Sequence, residues 1–258
     1  MNNHTYKNET FLINTNHIHF NSSHIHIYKS LPSTMDIARQ KAQSNCPNHT
    51  IIIADHQTSG RGRLQRQWDS DPGGLYMSWI VRPTLDISCC FAYTFSAALS
   101  IVRSLKKNFS VISHVKWPND VLVDGYKIAG ILTETLIDNH QLTYLIIGMG
   151  ININNDPDST IFKATSIKKL MQKQVNRISY INYLLNELYD QFENISSKET
   201  LASWKKNNCT LGKTVQIVTP TSTICGRAID INANGNLLVE TDHQTIETIY
   251  YGDCFQDN

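Results

Sequence analysis

The hydrophobic pattern of the chain changes near residue 209, and this change limits the folds that the chain can adopt. Beyond Gly212 the apolar residues fall into four short runs: TVQIV, TICGRAIDI, NLLVE and TIETIYYG. Turn signals such as Thr219-Pro220 and Asn234-Gly235 separate these runs, and none of them has a helical period. We therefore predict a small β-barrel over 209–258, appended to a larger domain over 1–208.

The larger part mixes strand-type and helix-type patterns without a regular alternation, which predicts an α+β domain. Ser33 is expected to be the N-cap of the first helix, with Asp36 in the capping-box position. A polar loop over 56–73 is long enough to suggest a functional segment. Strands are predicted over 17–20, 24–27, 51–55, 75–81 and 144–153, and helices over 34–45, 92–107 and 180–192.

Composition excludes several classes of protein. Of the 258 residues, 41% are hydrophobic and 17% charged, and the net charge is +1, so wholesale disorder and a membrane bundle do not fit. The near-zero charge also leaves no global field to attract nucleic acid. The start of the chain lacks the apolar region of an export signal, and the six cysteines are scattered. We expect a cytoplasmic protein with reduced thiols and no membrane or nucleic-acid partner.

The first segment that carries chemistry is GRGRLQRQW, residues 60–68. Glycines let the backbone approach a ligand, while Arg61, Arg63 and Arg66 supply cationic groups suited to a carboxylate or a phosphate. The P-loop pattern is absent, and Gln65 stands where a dinucleotide-binding fingerprint would have its third glycine. A solvated nucleic-acid tail is disfavoured because apolar strands flank the segment.

The second segment is KWPNDVLVDGYKIAGILTE, residues 116–134. Asp124-Gly125 predicts a two-residue hairpin turn that pairs 123 with 126, 122 with 127 and 121 with 128. In this register Asp120 is the diagonal neighbour of Lys127 on one face of the hairpin. From the residues alone, a plain cross-strand ion pair and a catalytic pair are equally good explanations.

The third segment is LTYLIIGMGININN, in which an apolar strand ends at Gly148 and Gly150, followed by Asn152 and Asn154. Glycines at the end of a strand either admit a ligand ring or form a bulge.

Together, in this order, the three segments resemble those of the biotin protein ligases, the biotin–[acetyl-CoA-carboxylase] ligases, from about Tyr28 to the C-terminus. The Ser33-Thr34 pair and the C-terminal β pattern resemble that family as well. The resemblance implies a catalytic domain related to class II aminoacyl-tRNA synthetases and lipoate ligases, with a C-terminal SH3-like barrel. It also implies a monofunctional ligase without an N-terminal DNA-binding domain. Gln65 and Leu64 depart from the family pattern within the arginine-rich loop.

The resemblance implies that ATP with Mg²⁺ activates biotin to biotinyl-5′-AMP, which is then transferred to a lysine of a biotin carboxyl carrier protein. Lys127, Arg63 and Asp120 would be catalytic. The biotin site would comprise Ser33, Thr34, Gln57, Gly60, Arg61, Arg63, Lys127, Gly130 and Gly148. The ATP and adenylate site would comprise Arg61, Arg63, Arg66, Trp68, Asn119, Lys127 and Asn152. Asn119 and Asp120 would be candidates for contact with the metal ion.

Two other functions stay open from the sequence. A lipoate or octanoate ligase would share the fold, and a non-catalytic biotin or nucleotide sensor would share the pocket. The GRGR and KWPND segments favour biotin over lipoate, and the presence of Lys127, Arg63 and Asp120 favours an enzyme. The carrier, the affinity for biotin and the choice between monomer and homodimer are not determined by the sequence.

Overall fold

The computed structural model describes residues 13–138, 141–158, 163–242 and 245–256. It contains a seven-stranded sheet covered by helices and a separate five-stranded antiparallel sheet, which confirms the predicted α+β class with a small β unit at the end. The large sheet comprises β1 (Ile25–Tyr28), β2 (Thr50–Ala54), β3 (Leu75–Val81), β4 (His114–Lys116), β5 (Asp120–Val123), β6 (Tyr126–Asp138) and β7 (Gln141–Ile151). The helices are α1 (Thr34–Gln43), α2 (Phe91–Phe109), α3 (Ile167–Met171), α4 (Arg177–Glu193) and α5 (Ser197–Asn207). The small sheet comprises β8 (Thr214–Val218), β9 (Thr223–Ile231), β10 (Leu237–Glu240), β11 (Ile246–Ile249) and β12 (Asp253–Gln256).

The large sheet has the strand order β1-β2-β3-β7-β6-β5-β4 and is antiparallel except between β1 and β2. Helix α1 packs on one face of the sheet, where Met35, Ala38 and Ala42 join a small apolar cluster. Helices α2 and α4 contribute to the larger core on the other face. Every residue of β3 is buried, which explains why the strand is apolar except for Ser78, whose hydroxyl donates to Thr34 Oγ1.

Only one stretch of the described residues, Ile87–Phe109, is long and apolar enough to cross a membrane. Within its most apolar window, 67% is buried inside the fold. Its apolar surface is therefore used in the core. The expected lack of an export signal concerns in part residues 1–12, which lie outside the described residues.

The N-terminal segment differs from the prediction. The strand expected over 24–27 forms as β1, but no strand forms over 17–20; 3₁₀ turns occur at Thr15–His17 and Ser22–His24 instead. The side chain of Asn14 accepts a hydrogen bond from Asn16 N, and that of Asn21 accepts one from Ser23 N. Such local hydrogen bonds compete with strand pairing. The prediction of a first strand was wrong because apolar alternation alone does not reveal this competition.

The predicted hairpin forms, with one change of register. Val123 pairs with Tyr126 and Leu122 with Lys127, but Val121 pairs with Ala129 rather than residue 128. The extra residue is Ile128, whose carbonyl oxygen accepts a hydrogen bond from Asn152 N at 2.9 Å. A bulge of this kind cannot be read from turn residues, because it depends on a partner outside the hairpin.

The start of α1 also corrects the sequence interpretation. Ser33 is the N-cap residue, but its side chain makes no capping hydrogen bond. The amide of Thr34 donates instead to Gln57 Oε1 at 2.8 Å, and Asp36 accepts from Arg61 and Arg39. Helices α3 and α5 were not predicted. All six cysteines lie within the described residues and are unpaired, as predicted.

Asp55, at the end of β2, joins the sheet to α4. Its side chain is 6% exposed and accepts hydrogen bonds from Lys29 Nζ at 3.0 Å and Arg177 Nη2 at 2.7 Å. Burial alone would raise the pKa of Asp55, but the hydrogen bonds from Lys29 and Arg177 outweigh it, so the net shift is downwards. The loop that follows β2 therefore starts from a fixed, charged carboxylate.

We expect Asp55→Asn to lower the free energy of unfolding by on the order of 3 kcal/mol, because it leaves the Arg177 side chain, which is only 15% exposed, without its carboxylate. The folded-state pKa of Asp55 lies below its unfolded value. Its stabilisation is thus complete above an unfolded pKa of about 3.9 and is lost as the pH falls through the folded-state value. Denaturant unfolding across pH 2–6 should show a shallower acid decline for Asp55→Asn.

The control is Asp156→Asn, which removes the partner of Lys168 in an exposed ion pair and should leave unfolding unchanged. If Asp55→Asn unfolds like the wild-type protein, the contact with Arg177 does not stabilise the fold.

Candidate active site

A cavity of about 280 Å³ lies between the start of α1, the loop over 56–73, the hairpin of β5 and β6, and the start of β12. All three sequence segments meet in it. The predicted residues that line it are Ser33, Thr34, Gln57, Arg61, Arg63, Arg66, Trp68, Asn119, Asp120, Lys127, Gly130, Gly148 and Asn152. Of the predicted residues, only Gly60 does not line the cavity. A Cβ at position 60 would lie 2.7 Å from Trp68 O and collide with Ser70 Oγ.

The charged centre of the cavity is the pair of Lys127 and Asp120. Lys127 Nζ and Asp120 Oδ1 form an ion pair at 2.7 Å, but their geometry does not meet the angles of a hydrogen bond. The two side chains are 30% and 23% exposed. The hairpin geometry thus confirms the predicted proximity of these residues. Lys127 Nζ also lies 5.1 Å from the centre of the Trp68 ring, within range of a cation–π interaction.

The floor of the cavity is a pair of glycines under the Trp68 indole. Gly130 in β6 pairs directly with Gly150 in β7. A Cβ on Gly130 would lie 2.9 Å from Trp68 Cζ3, and one on Gly150 would lie 2.6 Å from Trp68 Nε1. The indole N–H is buried and has no hydrogen-bond partner among the described residues. A buried donor of this kind usually has a partner, so a ligand acceptor would satisfy it.

One end of the cavity is lined by neutral hydrogen-bonding groups. Gln57 Nε2 donates to Ser70 Oγ at 2.9 Å, while Gln57 Oε1 accepts from the Thr34 amide. Ser78 Oγ donates to Thr34 Oγ1 at 2.8 Å, which leaves the Thr34 hydroxyl proton available. Ser33 is buried beside them. This end suits a neutral ligand with amide-like donors and acceptors.

The arginines of the GRGR segment have opposite environments. Arg61 Nη2 lies 2.6 Å from Asp36 Oδ1 and 3.8 Å from Glu134 Oε1. Arg63 makes no ion pair within the described part of the chain; its Nη1 donates to Asn119 Oδ1 at 3.3 Å and to Gly252 O at 3.2 Å. Burial lowers the pKa of the Arg63 guanidinium, which nevertheless stays charged at neutral pH. A half-buried cation with only neutral acceptors favours binding of an anion.

Several lining residues were missed by the sequence interpretation. The largest omission is the C-terminal unit, in which no site residue was predicted but which supplies Asp253, Cys254 and Phe255 to the cavity. Arg66 Nη2 pairs with Asp253 Oδ2 across this boundary. No local signal identifies the contribution of β12, because the contact exists only between distant parts of the chain. Further missed residues are Met35, Gln67, Asp69, Met77, Lys116, Trp117, Leu132 and Met149.

Asn119 and Asp120 do not fit a resident metal site. Asn119 Oδ1 accepts from Arg63 and its Nδ2 donates to Ile131 O, while Asp120 contacts Lys127. No group of three or more metal-binding side chains occurs among the described residues. The amide of Asn152 is also engaged: its Nδ2 donates to Thr165 O and its Oδ1 accepts from Asn155.

Comparison with known proteins identifies the family. Residues 27–152 match the model of the biotin/lipoate A/B protein ligase family, and residues 210–256 match that of the biotin protein ligase C-terminal domain. The bifunctional ligase/repressor BirA of Bacillus subtilis is 33% identical over 238 residues, which cover 89% of this chain and 73% of BirA. The chain belongs to the biotin protein ligase family.

Further relatives agree with this assignment. A biotin–[acetyl-CoA-carboxylase] ligase of Mycobacterium tuberculosis is 28% identical over 220 residues, covering 82% of this ligase and 80% of the relative. The solved biotin protein ligase of Aquifex aeolicus, in complex with biotin and ATP, superposes with a TM-score of 0.76 at 27% identity. The match covers 90% of this chain and 98% of the solved one. The fold class and the ligase activity predicted from the sequence are thereby confirmed.

We expect Gly150→Ala in this ligase to displace Trp68, because the new methyl group would occupy the position of the indole. The near-ultraviolet circular dichroism of the ligand-free protein should change while the far-ultraviolet spectrum stays the same. Gly62→Ala is the control, since a Cβ there meets only Arg66 O at 3.8 Å. A wild-type near-ultraviolet spectrum for Gly150→Ala would mean that Trp68 does not rest on this glycine.

Proposed function

We propose that this ligase activates biotin with ATP to biotinyl-5′-AMP and then transfers the biotinyl group to one lysine of a biotin carboxyl carrier protein, such as that of acetyl-CoA carboxylase. The names of the relatives support the substrates. The observation that carries the proposal is the environment of Arg63. This half-buried guanidinium lines the same cavity as Lys127 and forms no ion pair among the described residues; only the more distant charges of Asp253 and Asp120 act on it.

In the first step a carboxylate oxygen of biotin attacks the α-phosphorus of ATP. The new bond is between that oxygen and phosphorus, the bond to the β-phosphate oxygen breaks, and pyrophosphate leaves. Negative charge accumulates on the α-phosphate in the transition state, where fixed cations are most effective. Arg63 and Lys127 supply these cations, so both are proposed to be catalytic.

The cavity offers a separate region for each part of the adenylate. Ser33, Thr34 and Gln57 would hydrogen-bond the ureido group of biotin. Gly130 and Gly148 leave room for Trp68 and Met35, and the biotin rings would lie in the cavity next to these side chains. Trp68 would pack against the adenine, next to Asn119 and Asn152. Gly60 would act by shaping the loop, and Arg66 by joining the loop to β12 through Asp253.

Mg²⁺ enters this proposal only as the ion that accompanies ATP, where it would neutralise phosphate charge. Asn119 and Asp120 remain outside its coordination because their oxygens contact protein cations.

In the second step the acceptor lysine must attack as a free amine, because an ammonium group has no lone pair. The nitrogen bonds to the acyl carbon, the bond from that carbon to the phosphate oxygen breaks, and AMP leaves. Asp120 is the carboxylate that contacts Lys127, so we propose that it orients the incoming amine and accepts its proton.

Further proposals concern the division of the chain, its location and its partners. A division of the chain at 208/209 is supported by the two separate sheets. A cytoplasmic location, the lack of nucleic-acid and membrane partners, and a homodimer as the alternative to a monomer remain predictions.

The direct test is incubation of the purified protein with ATP, Mg²⁺, biotin and a biotin carboxyl carrier domain, followed by mass measurement of the carrier. We expect the mass to increase by one biotinyl group at one lysine. Parallel reactions with lipoate and octanoate should leave the carrier unmodified. Modification by lipoate in place of biotin would reassign the substrate, and modification by neither would indicate a sensor.

Lys127→Met should fold normally and be almost inactive. Methionine keeps the apolar contacts of the side chain, so the loss of stability should be at most about 1 kcal/mol. Adenylate formation should fall by on the order of 10²-fold, because one cation that stabilises developing charge is lost. Biotin-dependent pyrophosphate release and thermal melting measure the two effects. Normal pyrophosphate release with a lowered melting temperature would make Lys127 a structural residue.

A further inference from the structure

The half-buried side chains of Asp36, Arg39, Arg61 and Glu134 form a closed set of two cations and two carboxylates, here called the loop-base network. Arg61 Nη2 and Arg39 Nη1 lie 2.6 Å and 3.2 Å from Asp36 Oδ1. Arg39 Nη2 lies 2.5 Å from Glu134 Oε2. Each cation thus contacts both carboxylates, and the charges of the network cancel.

The loop-base network joins three parts of the fold that are distant in sequence. Asp36 and Arg39 lie one helical turn apart on α1, Glu134 lies in β6, and Arg61 lies in the loop over 56–73. Arg61 contributes the loop's ion pairs to α1 and β6. They add to the hydrogen bonds from Thr58 N to Leu31 O and from Ser59 N to Pro32 O, which hold the preceding loop residues next to the start of α1. Hydrogen bonding from Arg61 lowers the pKa of Asp36, so the carboxylate is charged at neutral pH.

The segment beyond Arg61 is a small hairpin whose geometry depends on that base. Gly62 N donates to Arg66 O at 2.7 Å, Trp68 N donates to Gly60 O at 2.9 Å, and Arg61 is bridged to Gln67. These backbone contacts transmit the position of Arg61 to Arg63 and Trp68, which face the cavity. The anchoring of Arg61 therefore helps to set the backbone position from which the Arg63 side chain reaches Asn119 and Gly252.

We propose that Asp36 and Glu134 are positioning residues that hold the GRGR hairpin in its binding geometry before any ligand arrives. In this assignment Arg61 holds the loop in place, and carboxylates already neutralise its guanidinium. Arg63 is then the loop cation that binds the anionic ligand. The first part concerns the ligand-free protein, whereas the effect on biotin binding rests on the proposed function. Preorganisation of this kind lowers the entropic cost of binding.

The test combines loop cleavage with steady-state kinetics on the double variant Asp36→Asn, Glu134→Gln. Trypsin cleaves after arginine, so the rate of cleavage after Arg61, Arg63 or Arg66 in the ligand-free protein reports the order of the loop. We expect this rate to rise by about tenfold and the KM for biotin to rise by about tenfold, with kcat within about twofold. A merely structural network would lower the melting temperature and leave KM unchanged.

The matched control is Glu187→Gln, which removes the partner of Arg103 in a half-buried pair between α2 and α4, outside the cavity lining. It should leave cleavage and KM unchanged. The single variants Asp36→Asn and Glu134→Gln provide the same measurements if the double variant unfolds.

A biotin KM and a cleavage rate equal to those of the wild-type protein would overturn the proposal, and so would a fall in kcat at constant KM. Failure of the proposed function is distinguishable from these results. In that event the wild-type protein would release no pyrophosphate with biotin, while the cleavage experiment would still report whether the network orders the loop.

Discussion

The register of β5, β6 and β7 is the constraint on which the cavity depends. Asp120 pairs with Gly130, and Gly130 pairs with Gly150, so one row across three strands presents a carboxylate followed by two residues without side chains. The bulge at Ile128 produces this row; continued regular pairing would place Ala129 opposite Asp120. Because neighbouring residues of a strand face opposite sides, that shift would place the Ala129 side chain, in place of Gly130, in the row of Asp120.

The same geometry distributes charge unevenly around the cavity. The loop over 56–73 brings three arginines to the cavity. Arg61 and Arg66 form ion pairs with carboxylates, whereas Arg63 forms none among the described residues. Arg63 and Lys127 are next to the floor, where burial strengthens their interaction with an anion. Nearby, burial together with the charges of Asp71 and Asp158 raises the pKa of Asp69, so this rim of the cavity accepts negative charge less readily. An anionic ligand is thus directed towards the hairpin side of the cavity.

Local sequence signals predicted most of the fold, and all predicted site residues except Gly60 line the cavity, but more than half of the lining was missed. The Asp124-Gly125 turn placed Lys127 beside Asp120. The glycines of β7, interpreted as admitting a ligand ring or forming a bulge, are instead covered by the Trp68 indole and by Met35. Local signals failed where the decisive partner is distant in sequence. The bulge at Ile128 depends on Asn152, and the absence of a strand at 17–20 depends on asparagine side chains that satisfy local amides. The contribution of Asp253 could not be predicted either, because a strand pattern does not specify which surface it packs against.

The close packing of Trp68 on Gly150 also constrains how this ligase can change during evolution. A methyl group at position 150 is compatible with the observed position of residue 68 only after that residue has become smaller. A smaller residue at 68 without a change at 150 would leave an empty space beside Lys127. The two positions are therefore expected to vary together, with the loop residue changing before the strand residue. A ligase in which both residues had changed would have a differently shaped cavity floor beside the same pair of Lys127 and Asp120.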